Sequence, residues 1–189
     1  MGDDGPLALG GEKQRALLAL LLLNANRVVS RDRLIDQLWG DEPPETAVTT
    51  VQVYVSRLRK LLPAGTLTTR SPGYVLAAEP ETVDLLRFER MLADARDAEP
   101  ARASELLHGA AQLWRGPALT EFASEPFARA EAGRLEDLRL AALEDRIEAD
   151  IALGRYPVLI GELEVLIAEH PHRERLRAEL MRALYASGP

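Results

Sequence analysis

The 189-residue chain contains no cysteine. This absence excludes a disulfide framework, a thiolate zinc site and a cysteine nucleophile. Aromatic residues make up only 5% of the chain, whereas leucine and alanine are abundant, and this balance favours helices. The hydrophobic fraction of 47% and the charged fraction of 28% are typical of a globular protein and exclude wholesale disorder.

Long apolar runs are also missing. The longest one, Ala16–Leu23, has eight residues, whereas a membrane-spanning helix needs about 20. A signal-peptide core of this length would need a small-residue cleavage site after it, and the sequence Asn24–Arg27 does not provide one. We therefore expect a soluble, cytoplasmic protein without a membrane partner.

The sequence provides little support for an enzyme. The three histidines, His108, His170 and His172, have no partners at metal-ligand spacing. Gly10-Gly11 is not followed by the spacing of a phosphate-binding loop, and no serine lies in a nucleophile-elbow motif. The expectation is a protein without catalytic residues, cofactor or metal.

The net charge of −7 is unevenly distributed. Residues 1–80 contain nine basic and nine acidic residues, whereas residues 81–189 contain fourteen arginines and twenty-one acidic residues. Such asymmetry between two halves indicates two electrostatically different domains. We expect the boundary at the break near residues 78–81, with domains over 1–80 and 81–189.

Hydrophobic periodicity predicts a mainly α fold. In the first domain it predicts a helix over 12–24, a helix capped by Ser30, a helix over Glu45–Leu62 and a β-hairpin over Leu67–Leu76. This order is typical of a winged helix-turn-helix with a hairpin wing. The buried stripe of the third helix is predicted to contain Val48, Val51, Val55, Leu58 and Leu62. The second domain is predicted to be all α, with helices near 84–98, 101–114, 125–153, 157–169 and 173–187.

A weak repeat is present in the second domain. One set of small residues recurs 34 residues later, the period of tetratricopeptide repeats: Ala149, Ala152 and Gly154, then Ala183, Ala186 and Gly188. The repeat favours a tetratricopeptide-like helical bundle, with an unrelated bundle as the alternative.

The third helix has a face without acidic residues. No carboxylate occurs from Thr46 to Leu62. At 100° per residue, the face opposite the apolar stripe is expected to present Thr46, Thr49, Thr50, Val53, Arg57 and Lys60, with Ser56 at its edge. Threonine, arginine and lysine suit phosphates and base edges in a DNA major groove, and an exposed valine suits a thymine methyl group. A solvated helix that happens to lack acids is the alternative.

Two neighbouring segments are candidates for contacts to the DNA backbone. Arg70 and the turn Ser71–Gly73 are expected at the tip of the wing. Ser30 and Arg31, with Arg33 beside them, are expected at the N-terminus of the second helix, where N–H groups favour a phosphate. For the two arginines, pairing with neighbouring acidic residues is an equally good interpretation.

Several stretches of the chain resemble a known protein family. The stretches Leu9–Leu22, Arg27–Gly40 and Thr50–Leu62 closely resemble the SARP regulators of actinobacteria, activators with an OmpR-type winged helix. Val83–Phe88 and Leu113–Leu119 resemble the bacterial transcriptional activator domain (BTAD) that follows in that family. The resemblance covers nearly the whole chain.

The resemblance implies a sequence-specific transcription activator of antibiotic or other biosynthetic genes. It would bind direct repeats in double-stranded DNA, with a second copy alongside, and recruit RNA polymerase through region 4 of a sigma factor. The recognition helix would be Glu45–Leu62 and the wing Leu67–Leu76. The loop after the second helix, with Gly40, Asp41 and Glu42, would be the contact to polymerase.

Two departures from the family are visible. Family members usually begin with a small antiparallel sheet, of which only Leu7–Leu9 could be a last strand here. The chain also stops in mid-repeat at Gly188–Pro189. We therefore expect a shortened N-terminal sheet and an incomplete second domain. The alternative function is a protein-interaction module whose helical domain docks a partner, for which exposed aromatic residues would be typical.

Overall fold

The computed structural model describes residues 9–188. The chain divides into two compact units, of which unit 1 contains the residues up to Leu85 together with Leu119–Ala132. Unit 2 contains Leu86–Ala118 and the residues from Gly133 onward. Residues 7 and 8 of the expected first strand lie outside the described range, and Leu9 belongs to no strand.

Unit 1 has the predicted helix-turn-helix and wing. Its elements are α1 (Glu12–Leu23), β1 (Val29–Ser30), α2 (Arg31–Trp39), α3 (Ala47–Leu61), β2 (Leu67–Arg70) and β3 (Gly73–Leu76). Ser30 caps α2 as predicted, because its side-chain oxygen accepts a hydrogen bond from the backbone N–H of Arg33. The short extended segment before α2 is β1, which pairs with β3.

The core of unit 1 is formed by leucines and valines from the three helices. α1 is buried on most of its surface, with Leu17 and Leu21 fully inaccessible. The stripe of α3 differs from the prediction at both ends, because Leu62, its predicted last member, is half-buried and follows the helix as its C-cap. Val51, Val55 and Leu58 are buried, but Val48 is 45% exposed and its neighbour Ala47 is buried instead.

The sheet has the order β1-β3-β2, with both pairings antiparallel. Gly73 pairs with Ser30 on one side and with Arg70 on the other. A β-carbon at Gly73 would lie 1.8 Å from the carbonyl oxygen of Val29. The central strand therefore approaches β1 so closely that only glycine fits at this point.

The second part of unit 1, Leu119–Ala132, contains a short 3-10 turn, Thr120–Phe122, and the first residues of a long helix that begins at Pro126. The ammonium group of Lys13 donates to the carbonyl of Leu38 (2.6 Å) and to the carboxylate of Glu125 (2.8 Å). Only 3% of the Glu125 side chain is accessible. This segment is thus tied to α1 by a partly buried ion pair that joins residues 112 positions apart, and Lys13 links both to α2 through the carbonyl of Leu38.

Unit 2 is entirely helical in the described residues. Its helices are α4 (Asp84–Arg96), α5 (Pro100–Ala111), most of α6 (Pro126–Ala152), α7 (Tyr156–Glu169) and α8 (Glu174–Ser187). One apolar cluster is formed around Phe88, Leu92 and Leu107. A second cluster contains Ile147, Leu163 and other residues of α6, α7 and α8. No helix among residues 9–188 is long and apolar enough to cross a membrane.

Candidate nucleic-acid interface

The exposed face of α3 is rotated relative to the prediction. Because Ala47 rather than Val48 lies in the core, the direction opposite the buried stripe moves by roughly 20–25°, at 100° per residue. The centre of the exposed face is formed by Thr49, Val53, Ser56 and Lys60, all of which are exposed. Ser56, expected at the edge of the face, is therefore at its centre.

The other predicted residues of α3 lie toward one flank. Thr46 and Arg57 are exposed there. Thr50 is half-buried, and its hydroxyl lies 3.4 Å from that of Thr46. Thr46 precedes the helix as its N-cap, but its side chain makes no capping hydrogen bond. Thr50 is thus less available to a ligand than the prediction assumed.

The opposite flank of α3 carries residues that were not predicted from the sequence. Val48 and Gln52 are exposed and lie about 40° apart on the helix. The side-chain amide of Gln52 makes no hydrogen bond to another described residue. One signal in the sequence could have identified this flank. Ala47 lies four residues before Val51, and Val48 lies three residues before it, so either residue could begin the buried stripe. If Ala47 begins the stripe, Val48 is left exposed.

Arg59, on this second flank, connects α3 to the wing. Its Nε donates to the carbonyl of Leu67 (2.9 Å), and its Nη2 donates to Oγ1 of Thr69 (2.7 Å). The guanidinium carbon also lies 6.0 Å from the centre of the Tyr74 ring. These contacts fix the angle between helix and hairpin, so Arg59 acts as a structural residue between the two DNA-binding candidates.

The candidates outside α3 meet at one end of the sheet. Ser30 and Arg70 are in register on either side of Gly73, which places their backbones about 10 Å apart, two strand spacings. The backbone N–H of Arg31 donates to the carbonyl of Pro72 in the wing turn (3.4 Å). Ser71–Pro72 is a cis peptide bond.

The N-terminus of α2 is partly occupied. Two of its first three N–H groups bond to Pro72 and to the hydroxyl of Ser30. The acidic side chain of Asp32 lies in the first turn. A phosphate at this end would therefore depend on the side chains of Ser30 and Arg31 more than on free backbone N–H groups.

The basic residues of the winged helix fall into two groups. Three are held by polar contacts: Lys13 with Glu125, Arg15 with Glu121, and Arg59 with the wing. The other six are exposed and form no ion pair or side-chain hydrogen bond with any described residue: Arg27, Arg31, Arg33, Arg57, Lys60 and Arg70. The expected alternative, in which Arg31 and Arg33 pair with nearby acids, is not what the structure shows.

The arginines of unit 2 provide a contrast. Ion pairs within this unit occupy Arg102, Arg139, Arg146, Arg155, Arg173, Arg175 and Arg182. Although burial disfavours its charge, hydrogen bonds to Asp145 and Glu148 raise the pKa of Arg175 above its ordinary value. Basic side chains without an ion pair to a described residue are therefore more typical of the winged helix than of the helical domain.

The loop between α2 and α3 contains the three residues expected to contact polymerase. Asp41 and Glu42 are exposed. Gly40 has a positive φ of 60°, and a β-carbon at this position would lie 3.7 Å from Cγ of Pro126 at the start of α6. Gly40 is therefore partly covered, and the accessible part of this loop is acidic.

No group of three or more histidine, aspartate or glutamate side chains in residues 9–188 is arranged to hold a metal ion. A cleft of about 400 Å³ lies in unit 2 between α4, α5 and α6. Small apolar residues form most of its wall, and its acidic residues Asp145 and Glu148 are paired with Arg175. It has no constellation typical of catalysis.

Two protein families match the chain. The family described as "Transcriptional regulatory protein, C terminal" matches residues 6–76. The family described as "Bacterial transcriptional activator domain" matches residues 83–189. The two matches follow the order of the winged helix and the helical domain.

Several curated proteins are similar over almost the whole chain. The regulatory protein AfsR of Streptomyces coelicolor is 42% identical over 98% of this chain and 19% of its own length. The regulatory protein DnrI of Streptomyces peucetius is 37% identical over 93% of this chain and 70% of its own length. The chain thus spans most of DnrI but only about a fifth of AfsR.

One solved structure has the same fold at substantial sequence identity. It is Mycobacterium tuberculosis EmbR in complex with a low-affinity phosphopeptide. It matches with a TM-score of 0.90 and 40% identity, over 98% of this chain and 52% of that chain. The likeness confirms the predicted fold class, a winged helix followed by a helical activator domain. With both domains matched in order, the chain belongs to the SARP family of transcriptional activators.

Proposed function

We propose that this protein binds double-stranded DNA sequence-specifically, with α3 in the major groove and the wing beside the backbone. The observation that carries the proposal is the set of six exposed basic side chains in the winged helix, residues 9–80 of the described range, that form no ion pair with any residue among 9–188. Phosphate oxygens are the partners that such side chains lack. The acid-free exposed face of α3 supports the same assignment.

The residues divide between positioning and reading. Arg57 and Lys60 near the C-terminal end of α3, with Arg31 and Arg70 at the end of the sheet, suit phosphate contacts. Ser30, Thr46 and Thr50 offer hydroxyl groups. Thr49 and Val53 on the exposed face suit base edges, where hydroxyl and methyl groups contact adenine or thymine.

The charge balance favours modest affinity for a single site. The whole chain carries a net charge of −7, so general attraction to DNA is weak. A single winged helix buries roughly 600–1,000 Å² on DNA. We expect two copies side by side on direct repeats, because linked binding events raise the effective affinity without new protein–DNA contacts.

The activation step is proposed from the family and from the α2–α3 loop. The exposed carboxylates of Asp41 and Glu42, with the adjoining Gly40, offer an acidic contact to a basic surface of RNA polymerase, with sigma-factor region 4 as the expected partner. The target genes are expected to be antibiotic or other secondary-metabolite biosynthesis genes, and the site of action the cytoplasm. No catalysis is required of the protein in this function.

A docking role for the helical domain is the second candidate function. It is favoured by α8, where Tyr185 is 91% exposed and Met181 is 66% exposed. Aromatic residues and methionine are enriched in protein interfaces. α3, by contrast, has only one aromatic residue, Tyr54, and that side chain is half-buried. The exposed face of α3 therefore lacks the aromatic side chains that are typical of a protein-docking surface.

The test is selection from a pool of randomised duplexes by the wild type and by an Arg57→Ala, Lys60→Ala double variant. Enrichment of a repeated motif by the wild type, with loss of enrichment by the variant, supports sequence-specific DNA binding through α3. Absence of any enriched motif with a folded wild-type protein contradicts it and favours the docking function. An Arg102→Ala variant serves as a matched control, because Arg102 is an exposed arginine of unit 2 that pairs with Glu105 three residues along its own helix.

A further inference from the structure

We propose that Gln52 reads an adenine in the DNA site and is a specificity-determining residue of this protein. Val48 and Val53 beside it contact the methyl groups of thymines. The inference rests on the proposed DNA-binding function and adds to it the base that one side chain selects. It is supported by the exposure of these residues, the contacts around them and the hydrogen-bonding pattern of the bases.

The side-chain amide of Gln52 is free to bind. The residue is exposed, and its amide makes no hydrogen bond to any residue in the range 9–188. The residues one turn away on the same face, Val48 and Ser56, carry no charge that would attract the amide. A glutamine that merely solvates a helix in an acidic protein would more often have a charged neighbour at this spacing.

Apolar side chains flank the amide on the exposed surface. Val48 is 45% exposed and Val53 is 41% exposed. Both belong to the few large apolar side chains that unit 1 leaves to solvent in its described part. Exposed valine gains nothing from water, whereas the methyl group of thymine in the major groove is an apolar partner of matching size.

The flank of α3 that carries Gln52 is linked to the wing through Arg59. Gln52 and Arg59 are seven residues apart, so they lie on one side of α3 at a separation of about 10.5 Å along its axis. Arg59 is hydrogen-bonded to Leu67 and Thr69 of the hairpin. The flank that carries Gln52 is therefore held at a constant angle to the wing, and the N-terminal half of a recognition helix is the part that contacts bases.

Glutamine has the hydrogen-bonding groups that adenine requires. Its carbonyl oxygen accepts from the adenine N6 amino group while its amide nitrogen donates to N7, and no other base offers this pair in the same geometry. A bidentate contact of this kind discriminates against the wrong base by about 5- to 150-fold. Because the amide is neutral, its contribution is independent of counterion release, unlike those of Arg57 and Lys60.

The experiment compares the duplexes selected from a randomised pool by the wild type, Gln52→Ala, Gln52→Arg and Gln52→Glu. We expect a wild-type motif with adenine at one position, whose preference Gln52→Ala loses while the rest of the motif remains. Gln52→Arg is expected to shift that position to guanine and Gln52→Glu to cytosine, since these are the bases their side chains match. Gln112→Ala, at an exposed glutamine of unit 2, is the matched control.

The outcomes separate the inference from the proposed function. If the wild type selects a motif that Gln52→Ala and Gln52→Arg select unchanged, Gln52 reads no base, although the DNA-binding function stands. If the wild type selects no motif, both are wrong. The salt dependence of binding to the selected duplex gives a second readout: the slope for Gln52→Ala should equal that of the wild type. A reduced slope would show that the substitution disturbs the neighbouring basic residues and their phosphate contacts, so that the lost preference does not come from a base contact of Gln52, and would overturn the inference.

Discussion

Arg59 of α3 and Thr69 of the wing are joined by a hydrogen bond of 2.7 Å. The same guanidinium group donates to the carbonyl of Leu67, so two bonds from one side chain hold the hairpin against α3. The two surfaces proposed to touch DNA are therefore parts of one rigid unit. Arg59 sets their relative position, and its Nε and Nη2 groups are already used in these two hydrogen bonds.

The first prediction concerns this connection. Arg59→Lys keeps the positive charge, but a lysine ammonium group cannot make both hydrogen bonds to Leu67 and Thr69. Losing these hydrogen bonds should lower the free energy of unfolding by about 1–2 kcal/mol. DNA affinity should fall several-fold with an unchanged salt slope, because the charge is retained. Thermal unfolding and binding titrations at several salt concentrations measure both effects. Wild-type affinity in Arg59→Lys would show that the wing needs no such anchor.

The second prediction concerns the charged residues of α3. Arg57→Ala and Lys60→Ala should each reduce the slope of log affinity against log salt concentration by about 1, as expected for loss of one phosphate contact. Their effect should be similar on specific and non-specific duplexes. The control variant Arg102→Ala should leave the slope unchanged. Equal slopes for the wild type and both α3 variants would contradict the placement of α3 against DNA.

The third prediction concerns the sheet. Gly73→Ala would place a β-carbon 1.8 Å from the Val29 carbonyl oxygen and 2.7 Å from Cα of Ser30. The pairing of β1 with β3 must then break or shift, and we expect a loss of about 3 kcal/mol or more in unfolding free energy. Equilibrium unfolding in urea measures this loss. Gly11→Ala is the control, because its β-carbon position has no atom of any described residue within 4 Å apart from its chain neighbours, and its φ is −69°.

The fourth prediction concerns the ion pair between Lys13 and Glu125. Lys13→Met leaves the buried Glu125 carboxylate without its partner, and we expect the free energy of unfolding to fall by about 1–3 kcal/mol. This loss is smaller than for a fully buried ion pair, because 36% of the lysine side chain is accessible to solvent. A Lys13→Met, Glu125→Gln double variant removes both charges and should recover part of the loss. Additive losses in the double variant would mean that the two side chains do not interact.

Local signals in the sequence were sufficient to predict most of the fold. Ser30 and Gly40 bound α2, and the hairpin lies between the predicted Leu67 and Leu76. The rotation of α3 was missed because Ala47 and Val48 both fit a helical stripe, and hydrophobicity alone favours the valine. Burial of the smaller residue depends on the packing of α1 and α2, which periodicity within one helix does not contain.

The remaining features depend on contacts between distant parts of the chain. The position of Leu119–Ala132 in unit 1 depends on Lys13 and Glu125, which no pattern of spacing relates. The role of Arg59 depends on the path of the wing after the turn at Pro63–Gly65. In the sequence, Arg59 is one of three closely spaced basic residues in α3. The structure distinguishes it from Arg57 and Lys60, because only Arg59 is hydrogen-bonded to described residues of the wing.

The central claim is that α3 and the wing read a DNA sequence. The most direct measurement is the ratio of dissociation constants for a scrambled duplex and for the duplex selected by the wild type, at one physiological salt concentration. Specific binding predicts a ratio of about 10³ or more, falling by about 5- to 150-fold in Gln52→Ala. The Arg57→Ala, Lys60→Ala double variant should lose affinity for both duplexes and keep nearly the same ratio. A wild-type ratio near one, from a folded protein, would contradict the account.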